Sequence, residues 1–202
     1  MKTTAKFLGL TLVFALLAIP AFADHHEGGE GHGGEMGDMN EMMAAMQELA
    51  TPGDCHKTLG ATVGTFDVKM KMYPAPGAPA MESTGTSEGK WILGNRFVET
   101  NYSAEVMGQD FQGHALDGYD NQTKKYTGVW VDNMGTYTLV FKGECDPESK
   151  SRSMTANIMD PMGNKMKNRG VTTATDTGYT YESYIVTDQG EFKNLELFAT
   201  RK

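Results

Sequence analysis

The chain has 202 residues, with 18 Lys and Arg against 26 Asp and Glu, a formal charge of −8, and 39% hydrophobic residues. An acidic balance without a basic stripe excludes the electrostatic footprint of a nucleic-acid binder. No segment beyond the N-terminal leader is apolar enough to remain in a bilayer, so no stable membrane insertion is expected once that leader is removed.

Residues 1–23 have the three parts of a secretory signal. Lys2 and Lys6 supply positive charge, Phe7 to Ile19 is apolar, and Pro20 precedes Ala21-Phe22-Ala23, an A-x-A cleavage site. Cleavage after Ala23 makes Asp24 the first mature residue and predicts a periplasmic or secreted protein. No lipobox cysteine follows, so no lipid anchor is expected. The two cysteines, Cys55 and Cys145, then meet an oxidising compartment, and a disulfide between them is expected. Pairing Cys55 with the adjacent His56 as a nucleophile is the weaker reading, because sequence neighbours rarely point at each other.

Residues 24–37, rich in Gly, His and Glu, have too little apolar surface to offset the entropy of ordering and read as a disordered tail. Its histidines His25, His26 and His32 have the ligand chemistry of a divalent copper, nickel or zinc site, with a solvated spacer as the plain alternative. Residues 38–53 follow as a helix and linker. Asp38 and Glu41 form a capping-box-like start, and Thr51-Pro52-Gly53 is the stop. Met39, Met42, Met43, Met46 and Leu49 fall on one helical face. Such a stripe can bind Cu(I) or adapt to a partner, but packing is its ordinary use. A second short helix from Cys55 to about Thr62, capped by Asp54, places His56, Leu59 and Val63 on one face. His56 can then line a cavity or serve as a hydrogen-bonded structural histidine.

From Gly64 the period changes. Phe66, Val68, Met70 and Met72 alternate with Asp67, Lys69, Lys71 and Tyr73, as in a half-buried strand. Further strand-like runs follow at 82–93, 96–107, 110–119, 125–133, 136–144, 151–159, 165–175, 179–187 and 191–200. Between them lies turn chemistry such as Gly94-Asn95, Asp120-Asn121 and Pro161-Met162-Gly163-Asn164. About ten strands with no helix among them predict a mainly β fold, an antiparallel up-and-down meander closing into a barrel over residues 54–202. One or two N-terminal helices precede it. Runs such as Tyr179 to Val186 are semi-apolar on both faces, which suits an interior holding polar and aromatic groups.

His56-Lys57-x-Leu59, Gly64-Thr65-Phe66-Asp67-Val68, Trp91-x-Leu93-Gly94-x-Arg96-Phe97, Met107-Gly108-Gln109-x-Phe111-x-Gly113, Gly118-Tyr119-Asp120, Lys124-Lys125-Tyr126 and Trp130-Val131-Asp132 together resemble the domain-of-unknown-function 1579 family. Gly85-Thr86-Ser87-Glu88 belongs to the same set, and the likeness runs from about Asp54 to the C-terminus. It implies a calycin-like, lipocalin-type barrel and brings no activity, substrate or catalytic residue. A more distant likeness to nitrobindin-type haem barrels fails at the iron ligand, since no histidine follows His114, and this speaks against haem as a cofactor.

The expected function is therefore non-catalytic binding of a small apolar or amphipathic molecule. Candidate ligand-lining residues are His56, Trp91, Arg96, Tyr126 and Trp130, with a purely core-filling role for the aromatics as the alternative. Transition-metal handling by the tail and the Met-rich helix is the second class. Polar groups that an enzyme would need to converge are Arg96, Glu99, His114, Asp117, Asp120 and Asp132. No reaction class follows from them and no catalytic residue is assigned.

Overall fold

A computed structural model describes residues 34–160 and 162–202. The leader, the tail up to residue 33 with His25, His26 and His32, and Pro161 of the predicted turn lie outside the described residues.

The ten strands are β1 (Gly64–Met72), β2 (Met81–Ile92), β3 (Phe97–Val106), β4 (Gln109–Asp120), β5 (Lys125–Asp132), β6 (Leu139–Glu144), β7 (Ser151–Met159), β8 (Lys165–Thr175), β9 (Gly178–Thr187) and β10 (Gly190–Arg201). Each pairs antiparallel with its sequence neighbours, and β1 pairs with β10, so the meander closes into a barrel. Closure satisfies the backbone groups that an open edge would leave unpaired. The predicted mainly β barrel and its strand positions stand as observed.

The period of two decides what faces inward. On β1, Phe66, Val68 and Met70 are buried while Asp67 and Lys69 are exposed. Directly paired residues share a face, so one ladder can be followed round the wall: Ser83, Met70, Leu197, Tyr181, Thr172 and Arg152 are successive partners on β2, β1, β10, β9, β8 and β7. The seam between β6 and β7 is the thinnest part of the wall, with one register pair, Lys142 with Thr155. Outward positions such as Asp67, Lys69, Glu88, Lys90 and Glu99 are charged, the inverse of a lipid-facing barrel surface.

Three helical pieces precede the barrel. Helix α1 (Gly34–Ala50) begins four residues before the predicted cap at Asp38. An acidic residue suits the positive end of a helix in its first turns as well as at its cap, so Asp38 does not mark the boundary. The stripe Met39, Met42, Met43, Met46 and Leu49 does not pack as expected, for all five side chains are exposed. The helix is tied down at its last turn instead, where Asn121 Nδ2 donates to the carbonyls of Leu49 and Thr51 at 2.9 and 2.8 Å.

The second predicted helix is one α turn, α2 (Asp54–Lys57), running into a 3-10 turn over Thr58–Thr62. Its N-cap is Gly53, not Asp54, because the His56 ring reaches back to accept the Gly53 N–H on Nδ1 at 3.0 Å. Asp54 pairs with Lys57 at 2.7 Å on the surface. This segment plugs one end of the barrel. Leu59, fully buried, packs with Val98 and Tyr126, and Gly60 lies against Trp91. The opposite end is framed by the connections at 73–80, 107–108, 133–138 and 188–189, with 160 and 162–164 among the described residues of the β7–β8 connection.

The Cys55–Cys145 disulfide joins the plug to the end of β6, closing a loop of 90 residues. In the chain-entropy account a loop of that length stabilises by about 4–5 kcal/mol. Reduction, or the Cys55→Ser/Cys145→Ser pair, should therefore lower the unfolding free energy from urea titration by an amount of that order, and the midpoint with it. An unchanged midpoint would mean that the plug holds without its covalent tie.

Candidate functional site

Strand alternation aims Tyr102 and Ala104 on β3, Phe111, Ala115 and Asp117 on β4, Trp130 on β5, Met154 on β7 and Tyr181 on β9 into the barrel. None of these is fully buried although the wall around them is closed. Desolvation raises the Tyr181 hydroxyl to about 12, so protein surrounds it even though its side chain still touches accessible space. Partly accessible inward side chains of this kind line the barrel lumen. A ten-stranded wall encloses more room than side chains alone fill, and several inward positions are small.

Glycine enlarges the space at two places. The Trp130 ring lies flat along the wall because it crosses Gly113, where a Cβ would sit 2.3 Å from Cη2. At Gly128 a Cβ would lie 2.7 Å from Asp117 Oδ1, so this glycine makes room for a buried carboxylate.

Asp117 reaches from β4 to Arg152 on β7, Oδ2 to Nη2 at 2.9 Å, with the side chains only 14% and 5% exposed. The guanidinium also lies 5.6 Å from the Tyr126 ring centre, a cation–π contact. Burial pushes the Asp117 carboxyl up from its ordinary value, and the Arg152 charge offsets only part of that rise. Other interior polar groups form closed chains. Tyr179 links Ser87 at 3.0 Å to Tyr102 at 3.2 Å, and Ser183 joins Asn168 at 2.7 Å to Asn194 at 2.8 Å. Arg152 Nε and Nη1, and Ser83 Oγ, are buried with no partner.

The five candidate lining residues separate. Trp130 faces the cavity, donating its Nε1–H to Asp132 at 2.8 Å and packing edge-on to Tyr102. Tyr126 is interior but committed to the plug, through Thr58 Oγ1 and the sulfur of Cys145 at 3.2 Å. Trp91 packs in the same plug cluster. His56 is buried within the plug, edge-on to Tyr119 at 5.5 Å, and burial lowers its pKa, aided by Arg96 and opposed by a hydrogen bond to the Tyr119 backbone. Arg96 is exposed on the β2–β3 turn, donating to the Leu93 and Gly94 carbonyls.

The polar set does not converge. His114 is on the outer wall with Asn101 at 2.8 Å and Glu99 at 3.7 Å, beside a shallow concavity of about 550 Å³. Asp120 caps its own turn through Gln122 N–H and Thr123 Oγ1. Asp132 accepts from Trp130, Met134 N–H and Tyr137, whose hydroxyl is pushed up to about 12 by desolvation first and by that hydrogen bond second. Among the described residues no three His, Cys, Asp or Glu side chains gather as a metal site requires. Sequence reading missed Arg152. The signal was present, since alternation puts this charge in register with Met154 and Ala156, on the inward face of β7.

Fold and interior together define a calycin-like closed barrel whose mainly apolar lining carries a few placed polar groups. The chain belongs to the family described as protein of unknown function DUF1579, which it matches over residues 51–200. No curated protein matches the sequence.

Asp117 binds more protons folded than unfolded, because its pKa is raised. Its contribution to stability is therefore full below about pH 3.8 and declines as pH rises through the higher folded value. Asp117→Asn, which does not titrate, should flatten that part of the urea-midpoint profile. Parallel profiles for the two proteins would contradict the assignment.

Proposed function

We propose that this is an exported, non-catalytic barrel that holds a small apolar or amphipathic molecule in its interior. The observation that carries the reading is the accessible inward surface of Tyr102, Phe111, Asp117, Trp130 and Tyr181 behind a closed wall. A mainly apolar cavity with a few placed polar groups is the common form of a small-molecule site. Residues 1–23 and the disulfide support export to an oxidising compartment, the periplasm or the exterior.

The neutral apolar dye N-phenyl-1-naphthylamine tests this. With the full-length chain its fluorescence should rise and quench Trp130, the quenching should vanish in Trp130→Phe, and Ala115→Trp, which fills the lumen, should weaken binding roughly tenfold. No rise in dye fluorescence, or an unchanged affinity in Ala115→Trp, would remove the reading.

A second reading, transition-metal binding by the tail histidines and α1, is supported by the exposed thioethers of Met42, Met43 and Met46, which suit Cu(I). Replacing all three by Leu should reduce the Cu(I) affinity of the full-length chain in competition with a chromogenic chelator. Equal affinities would rule out the helix as a site.

A further inference from the structure

Arg152 is 5% exposed and uses one of its three nitrogens, leaving Nε and Nη1 buried and unpartnered. Joining β7 to β4 uses only Nη2, so the pair with Asp117 does not account for the two remaining buried donors. A desolvated cation with spare N–H groups is the costliest unsatisfied donor in the interior, and a charge-assisted acceptor satisfies it best. The other interior hydroxyls and amides of the Tyr102–Tyr179–Ser87 and Asn168–Ser183–Asn194 chains are already paired.

We infer that Arg152 is the head-group site of the lumen, taking the carboxylate of an amphipathic ligand whose alkyl chain lies among Met154, Phe111, Trp130 and Leu195. This rests on the ligand-binding reading and specifies its ligand class. Asp117 keeps Nη2, and the ligand carboxylate accepts from the free N–H groups. Burial shifts the Asp117 carboxyl toward its protonated form, which eases the approach of a second carboxyl group to the same guanidinium.

Calorimetric titration of the full-length chain with decanoate, decanol and decyltrimethylammonium separates head group from tail. Decanoate should bind on the order of ten- to a hundredfold more tightly than decanol, with the ammonium weakest. Arg152→Gln should bring decanoate down to the level of decanol. So should Arg152→Gln/Asp117→Asn, which leaves no lone buried charge and guards against a folding defect. Equal binding of decanoate and decanol by the native protein, or a preference that survives both variants, overturns the head-group assignment and leaves the barrel as a binder of apolar chains. If none of the three amphiphiles binds and the neutral dye is also excluded, the lumen reading falls with it.

Discussion

The contact between Arg152 and Asp117 crosses the barrel where its wall is thinnest. The regular register between β6 and β7 is the shortest in the barrel, one pair against six or more at every other seam. Arg152 compensates from inside. It reaches past two strands to Asp117 on β4 and lies over Tyr126 on β5, joining both sides of the seam through the interior. Replacing Gly128 with any larger residue would press on Asp117, and the inward register of β7 fixes where the guanidinium can be. The polarity of the lumen is thus part of how the barrel closes.

The plug is the complementary constraint, and it works by burial. Leu59 fills the space between Val98 and Tyr126, and burial shifts His56 toward its neutral form while Nδ1 accepts the Gly53 N–H. The disulfide ties this segment to the end of β6, next to the thin seam. One end is therefore stopped by apolar packing and a covalent bond, and the charged pair lies inward from it. Heavily built walls at one end leave the other as the natural route for a molecule entering the lumen.

Most of the architecture was legible because strands announce themselves by a period of two and turns by their chemistry. Phe66 to Met72 shows the alternation directly, and ten such runs without a helix leave few topologies besides a closed meander. Site residues were harder, for a physical reason. Whether a side chain lines a cavity depends on the direction a segment takes after it leaves its strand, which periodicity does not encode. His56 and Trp91 are drawn into the plug, and Arg96 turns back on its own loop carbonyls. Trp130 was visible as an inward aromatic. Arg152 was concealed by its neighbours Ser151 and Ser153, which make the run look like an ordinary polar strand unless the register is counted from Met154. The helix stripe misled in the opposite sense, because helical spacing of methionines predicts a shared face but not that anything covers it.

These pieces bear on one another through the cost of burying charge. A cavity lined only by Met, Phe and Trp would accept any apolar chain and would discriminate little between them. One guanidinium with free donors changes that, since a ligand lacking an acceptor leaves those donors desolvated and a ligand with one relieves them. On the proposed reading, the same group that joins the wall from inside would also set the chemistry of what the lumen holds. An apolar replacement of the pair that kept the barrel folded would then erase that selectivity.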